Sequence, residues 1–100
     1  MTQPFNYNLD WDSEKAKANA KKHGVTFAEA GSVFRDPQAL SLYDEEHSEA
    51  EDRWVTLGIS ARGRLLVVHH TYEQVDRVTA RIRVFSSRKA SRREADQYAE

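Results

Sequence analysis

The spacing of apolar residues changes at Pro37, and this change sets the fold class. Before it, Phe27, Ala30 and Phe34 recur at the spacing of one helix face. After it, apolar and polar residues alternate, which is typical of strands with one buried face. The Asp36-Pro37 step ends the helical part because the residue before a proline disfavours the helical conformation. The sequence therefore predicts an α+β protein in which two helices precede most of the strands.

Turn and capping residues set the limits of the predicted elements. Asp12 or Ser13 can cap a first helix that ends at Gly24, and Thr26 with Glu29 forms a capping box for a second. The predicted order is a strand over 5–9, helices over 13–23 and 26–34, strands over 40–43, 53–60, 65–68 and 78–86, and a last helix opened by a capping box of Ser91 and Glu94. The segment 73–76 is predicted to be a loop.

The links between the predicted strands are short, which favours an antiparallel sheet with neighbouring strands in sequence order. The two N-terminal helices are expected to cover one face of this antiparallel β-sheet, followed by the C-terminal helix. Because 100 residues leave no room for a second core, residues 1–100 are expected to form a single domain.

Composition excludes several classes of protein. The chain has no cysteine, which rules out disulfides, thiolate metal sites and a cysteine nucleophile. No apolar run approaches the roughly 20 residues that span a bilayer. Residues 1–10 lack the basic and apolar regions of a signal peptide. We therefore expect a cytoplasmic protein without membrane association.

A net charge of −1 conceals two halves of opposite charge. Residues 1–52 carry five basic and eleven acidic side chains, whereas residues 53–100 carry ten basic and five acidic ones. Nine of those ten basic residues are arginine, whose forked guanidinium suits contacts with phosphate. The second half is therefore a candidate surface for a polyanion.

The candidate site rests on arginines in the predicted strands. Arg81 and Arg83 share a face of the last strand, Arg88 follows that strand, and Arg53 begins a neighbouring one. Such a cluster suits phosphodiester cleavage without a metal, in which cations stabilise the transition state and an acid/base pair moves protons. The alternative is a set of solvated arginines paired with the acids of the first half.

The residue that transfers the proton stays open between His70, Lys89 and Glu94. Glu94 is also explained completely by its place in the capping box with Ser91. His69 and His70 are neighbours on a strand and point to opposite faces, so they cannot both ligate one metal in the usual way. The sequence thus predicts no metal site and no cofactor.

Two stretches match a known family in order and spacing: Lys22–Phe27 (KHGVTF) and Ile82–Glu94 (IRVFSSRKASRRE). Further matching elements are Trp11-Asp12, Asn19, Glu29-Ala30, Val33-Phe34, Asp36-Pro37, 44–47, 51–54, Gly58 and 63–68. On these residues the chain resembles the BrnT-type toxins of bacterial type II toxin–antitoxin systems, which are ribonucleases with a RelE-like fold.

The resemblance implies an endoribonuclease that inhibits translation and is held inactive by a BrnA-like, DNA-binding antitoxin. Operator DNA would be contacted only through the antitoxin complex. By motif match, the family's functional positions fall on His23, Arg53, Arg83, Arg88 and Glu94. Together with the candidates from the residues themselves, the catalytic candidates are Arg53, His70, Arg83, Arg88 and Glu94, and the RNA-binding candidates are His23, Arg81, Lys89 and Arg92. The alternative is a non-catalytic binding module, a degenerate toxin whose basic face docks an acidic partner or nucleic acid.

Overall fold

A computed structural model describes residues 5–100, so the first four residues of the predicted single domain lie outside the described range. The elements are the strand β1 (Asn6–Asp10), the helices α1 (Ser13–His23) and α2 (Phe27–Gly31), the strands β2 (Leu40–Tyr43), β3 (Trp54–Ile59), β4 (Leu65–His70), β5 (Glu73–Asp76) and β6 (Thr79–Lys89), and the helix α3 (Arg92–Tyr98). Short 3-10 turns cover Ser32–Arg35 and Glu45–His47. The predicted order is confirmed except at 73–76, where the predicted loop is the strand β5. Two placements were wrong: Arg88 lies within β6 and not after it, and Arg53 directly precedes β3, which is separated from β6 by β4.

The six strands form one sheet in the order β1-β6-β4-β3-β2, and β5 pairs with the N-terminal half of β6. All of these pairs are antiparallel except β1 with β6, which is parallel. The predicted α+β class is confirmed, but the sheet is mixed rather than wholly antiparallel. Alternation of apolar residues predicts which face of a strand is buried, but it does not predict whether the strand runs parallel or antiparallel to its neighbour. Because two helices follow β1, no short turn fixes its direction, and β1 can pair with β6 in either the parallel or the antiparallel orientation.

The main core lies between the N-terminal helices and one face of the sheet. The helical segment contributes Val25, Phe27, Ala30 and Val33, and the central strands contribute Leu66, Val68, Ile82 and Val84. All eight side chains are almost fully buried. The predicted position of the two helices is thereby confirmed, and the opposite sheet face carries α3 at one end and remains open at the other.

Asn19 of α1 completes the hydrogen bonding of β6 where β1 stops. β1 ends at Asp10, opposite Arg83, so the next part of β6 lacks a strand on that side. There the Asn19 side chain donates to the Ser87 carbonyl at 2.8 Å and accepts from the Ser87 N–H at 3.1 Å. Asn19 is buried, and its amide replaces the two backbone groups that a neighbouring strand would have supplied.

A β-bulge in β6 determines which side chains share the open face. β4 pairs His69 with Ser86 but His70 with Val84, so Phe85 is an extra residue. Val84 faces the core before the bulge and Ser87 is buried after it, so the inward positions change from even to odd numbers. Arg83 and Arg88 are five residues apart and would point to opposite faces of a regular strand. The bulge places both on the open face.

The two predicted capping boxes have different outcomes. At α3 the box is complete, because Ser91 and Glu94 each accept a hydrogen bond from the other's backbone N–H. At α2 only Thr26 caps, accepting from the Glu29 N–H at 3.1 Å. The Glu29 carboxylate instead accepts hydrogen bonds from Arg64 and from the Ser60 hydroxyl, so the second half of that prediction is wrong. These bonds lower the pKa of Glu29 to about 2 and tie α2 to the β3–β4 hairpin.

Candidate active site

Most strand arginines are neutralised by a nearby carboxylate, and Arg53 differs from them. Arg83 pairs with Asp10 at 2.9 Å and Arg81 with Glu73 at 3.2 Å. The nearest carboxylate to Arg53 is that of Glu51, 3.6 Å away and outside hydrogen-bond geometry. Unlike Arg81, Arg83 and Arg88, Arg53 therefore has no carboxylate within hydrogen-bond distance.

Aromatic packing holds Arg53 in place just before β3. Its guanidinium carbon lies 4.2 Å from the centre of the Phe85 ring, the bulge residue of β6. The Arg53 Nε is buried and has no hydrogen-bond partner among residues 5–100. A cation–π contact orients a guanidinium without using its N–H groups, so the fork stays ready for an anion. The Lys15 ammonium also approaches the Phe85 ring, at 5.7 Å, and adds positive charge beside it.

His69 shares a cavity with Arg53 on the open face. The cavity measures about 210 Å³, and its lining residues are Asp44, His47, Arg53, Trp54, His69, Phe85 and Ser86. His69 lies near the end of β4, in register with Val55 on one side and Ser86 on the other. Burial and the positive charge of Arg88 lower the pKa of His69. A neutral imidazole therefore faces the cavity at neutral pH.

A second histidine reaches the same cavity from the loop after β2. The His47 Nδ1 lies 2.9 Å from an Asp44 carboxylate oxygen. Asp44 is largely covered, with 15% of its side chain exposed, whereas 63% of the His47 side chain is exposed. The carboxylate fixes the orientation of the ring and leaves Nε2 as the free nitrogen. Arg53, His69 and the Asp44–His47 pair are the lining groups of this cavity whose chemistry suits anion binding or proton transfer.

Arg88 lies beside this cavity but is already paired. Its two terminal nitrogens donate to the two Glu94 carboxylate oxygens at 2.7 and 2.9 Å. The hydrogen bonds from Arg88, with those from Ser91, lower the pKa of Glu94 to about 2. Glu94 is therefore ionised at neutral pH and fully engaged, which makes it a poor proton acceptor. Its capping role and its pairing role coexist.

The structure separates His70 from the arginines of the open face. Only 2% of His70 is exposed, on the helix-covered side of the sheet, where its ring meets Phe34 edge to face at 4.7 Å. Its Nε2 lies 2.6 Å from the Thr56 hydroxyl and its Nδ1 2.8 Å from the Thr71 carbonyl. Burial lowers the pKa of His70 to about 4. His70 is thus brought together with neither Arg53 nor Arg88.

The remaining predicted residues lie outside the Arg53 cavity. Arg81 and Arg83 line a different depression together with four carboxylates. His23 is the last residue of α1, Lys89 the last of β6 and Arg92 the first of α3.

Residues 5–100 include no helix with the length and hydrophobicity that crossing a bilayer requires.

Sequence reasoning missed His69, His47 with Asp44, and Phe85 as parts of the site. The signal for His69 was present, because a strand that turns His70 inward must turn His69 outward. That signal was ambiguous, since Leu65–Val68 is apolar on both faces. Nothing in the acidic segment 44–52 indicated that its chain would bring His47 to a strand end.

Comparisons with known proteins identify the family. The family model described as "Ribonuclease toxin, BrnT, of type II toxin-antitoxin system" matches residues 11–94. The crystal structure of the Brucella abortus ribonuclease toxin BrnT matches with a TM-score of 0.56 and 23% sequence identity, covering 88% of this chain and 99% of that one. That likeness supports the fold, whereas no curated protein sequence gives a significant match. Because the family model spans most of its length, this chain belongs to the BrnT family of ribonuclease toxins of type II toxin–antitoxin systems.

Proposed function

We propose that this toxin cleaves RNA without a metal ion, at the cavity between Arg53 and His69. The observation that carries the proposal is the position of Arg53. Its guanidinium is held by an aromatic ring, lacks a hydrogen-bonded carboxylate, and opens into a cavity that also contains two histidines. A cation for phosphate and groups for proton transfer are what internal cleavage of RNA requires.

Arg53 would bind the scissile phosphate. A guanidinium offers two parallel N–H donors to two phosphate oxygens, and its charge is worth most when the phosphate gains negative charge in the transition state. Arg88 would supply a second positive charge at the edge of the cavity, with Glu94 as the residue that positions it. Lys89 and Arg92, which follow Arg88 closely in the chain, would extend the RNA-binding surface.

His69 would act as the general base in place of His70. Its lowered pKa keeps the imidazole neutral at neutral pH, so it can accept the proton of a ribose 2′-OH. The 2′-oxygen then attacks phosphorus, the bond from phosphorus to the 5′-oxygen breaks, and His47 donates a proton to the departing oxygen. The products are a 2′,3′-cyclic phosphate and a 5′-hydroxyl, and the two histidines finish with exchanged protonation states.

Membership of a type II toxin family implies an antitoxin partner. We propose that this partner is a BrnA-like DNA-binding protein, that the toxin reaches operator DNA only through it, and that the free toxin inhibits translation in the cytoplasm. Co-expression provides the test. Growth arrest by the toxin, relieved by the neighbouring gene, supports this part of the proposal, and an absence of arrest with folded toxin contradicts it.

Cleavage of a single-stranded RNA oligonucleotide in excess EDTA tests the mechanism. We expect products ending in 2′,3′-cyclic phosphate, and a rate about 100-fold lower for Arg53→Ala. Arg77→Ala is the charge-matched control, because Arg77 is exposed in the β5–β6 turn, and it should cleave at the wild-type rate. Loss of activity in EDTA would contradict the metal-free mechanism. RNA binding without any cleavage would instead support a non-catalytic binding module.

A further inference from the structure

A second cavity lies on the helix-covered face of β3, on the other side of this strand from the Arg53 cavity. It measures about 430 Å³ and lies between the 3-10 turn after α2 and the ends of β3 and β4. Its apolar walls are four aromatic side chains, Tyr7, Phe34, Trp54 and Tyr72. Flat faces of this kind suit a flat aromatic ligand, since every nucleobase has a π-face that stacks on such rings.

The polar floor of this cavity has a fixed hydrogen-bond direction. The Thr71 carbonyl can only accept, so the His70 Nδ1 carries the hydrogen and Nε2 is the acceptor. The Thr56 hydroxyl then donates to Nε2 at 2.6 Å, and the Ser41 hydroxyl donates to Thr56 at 2.7 Å. The Ser41 oxygen is left with unused lone pairs at the exposed end of this chain. The cavity thus presents an acceptor.

The remaining polar lining favours the same kind of ligand. Asp36 lines the cavity, and its carboxylate already accepts from the Ile59 N–H and the Tyr98 hydroxyl, which fix it in place. None of the residues that line the cavity is a lysine or an arginine. A phosphate would therefore find no cation among the lining residues. An amino group, which has two N–H donors, would find two acceptors, Ser41 and Asp36.

We propose that this cavity binds a nucleobase that carries an exocyclic amino group, such as adenine or cytosine. The identity of the ligand rests on the proposed function, because Trp54 lines both this cavity and the Arg53 cavity. Because both cavities share Trp54, a nucleotide whose phosphate bound at Arg53 would reach this cavity with its base around the start of β3. The cavity would then select which base adjoins the scissile phosphate.

Free nucleosides test this proposal without any cleavage, because they contain no phosphodiester. The full chain is titrated with adenosine, cytidine, inosine or uridine while the two-dimensional ¹H–¹⁵N NMR spectrum is recorded. We expect adenosine and cytidine to shift the Trp54 indole signal and the Thr56 amide signal. Inosine and uridine should bind about tenfold more weakly, because each has one ring N–H donor in place of the two N–H donors of an amino group. Inorganic phosphate should leave these signals unchanged.

Ser41→Ala separates hydrogen bonding from stacking. It removes the acceptor on an exposed strand, so the affinity for adenosine should fall about tenfold, to the level of inosine. Ser13→Ala, at the exposed start of α1, is the matched control and should bind like the wild type. Equal binding of all four nucleosides, an unchanged Ser41→Ala, or no shifts at millimolar nucleoside would each overturn the proposal. Signals that respond only to an antitoxin would overturn it in favour of a protein ligand.

The two proposals fail separately. If wild-type protein cuts RNA and no nucleoside binds, the base site is wrong and the Arg53 mechanism stands. If adenosine and cytidine bind at Trp54 but no RNA is cut, the cavity is a base site and the cleavage mechanism is wrong.

Discussion

Replacement of Glu29 by glutamine should remove a measurable part of the pH dependence of the free energy of unfolding. Glu29 has 5% of its side chain exposed, and Arg64 and Ser60 lower its pKa from 4.5 to about 2. A carboxyl with a depressed folded pKa stabilises the protein above its unfolded pKa and loses this stabilisation as the pH falls through the folded value. A difference of this size corresponds to about 3 kcal/mol at neutral pH, of which roughly 2 kcal/mol is lost between pH 6 and pH 3.

Urea unfolding followed by tryptophan fluorescence, at several pH values from 7 to 3, measures this effect. The wild type should be more stable than Glu29→Gln at pH 7, and the gap should narrow by roughly 2 kcal/mol by pH 3. Other carboxyl groups, including Glu94, titrate in both proteins and cancel in the difference. Parallel stability profiles for the two proteins would refute the assignment of a buried ion pair to Glu29 and Arg64.

Three further predictions concern β6 and the site. Asn19→Ala should lower the free energy of unfolding by about 2 kcal/mol, because it leaves both Ser87 backbone groups unpaired. Faster hydrogen exchange at the Ser87 amide would show this loss of hydrogen bonding. Asn8→Ala, at an exposed position, is the control. Glu94→Gln should increase the affinity for RNA several-fold at low salt, because it removes the negative charge that pairs with Arg88. Fluorescence anisotropy measures this affinity. An equal increase in affinity for Glu73→Gln, which removes the partner of Arg81, would contradict the explanation. The cleavage rate should fall as the pH is lowered, with an apparent pKa below 6.5, because His69 must be neutral to act as the base. If the same fall in rate at low pH persists in His69→Gln, a group other than His69 causes it.

Capping patterns in the sequence predicted where the helices begin. They could not predict which of the capping side chains would bind a distant residue and not the helix end. Thr26 and Ser91 both cap as their sequence patterns indicate. Glu29 lies in the same pattern as Glu94, yet its carboxylate is drawn away by Arg64, which is 35 residues later in the chain. Such competition depends on tertiary neighbours, and one sequence window does not contain them.

The site was predicted in part, for a different reason. Arg53 and Arg88 were singled out by their places beside the predicted strands and by motif matches, and the bulge in β6 is what brings Arg88 to the open face. His70 was chosen over His69 although Leu65–Val68 is apolar at every position. Such a run does not show which alternate side chains of β4 face the core, so it does not show which histidine faces outward. The bulge at Phe85 and the position of His47 depend on strand register and on a loop, and neither has a local sequence signature here.

The extra residue in β6 serves the site through its side chain as well as through the bulge. A regular strand of the same eleven residues would turn Arg88 toward the core, because Arg88 lies an odd number of residues after Arg83. Deleting Phe85 would restore regular alternation and leave Arg83 and Arg88 on the open face, four residues apart. The same deletion would remove the aromatic ring that packs against the Arg53 guanidinium. The surface would then keep both cations, and Arg53 would lose the group that orients it.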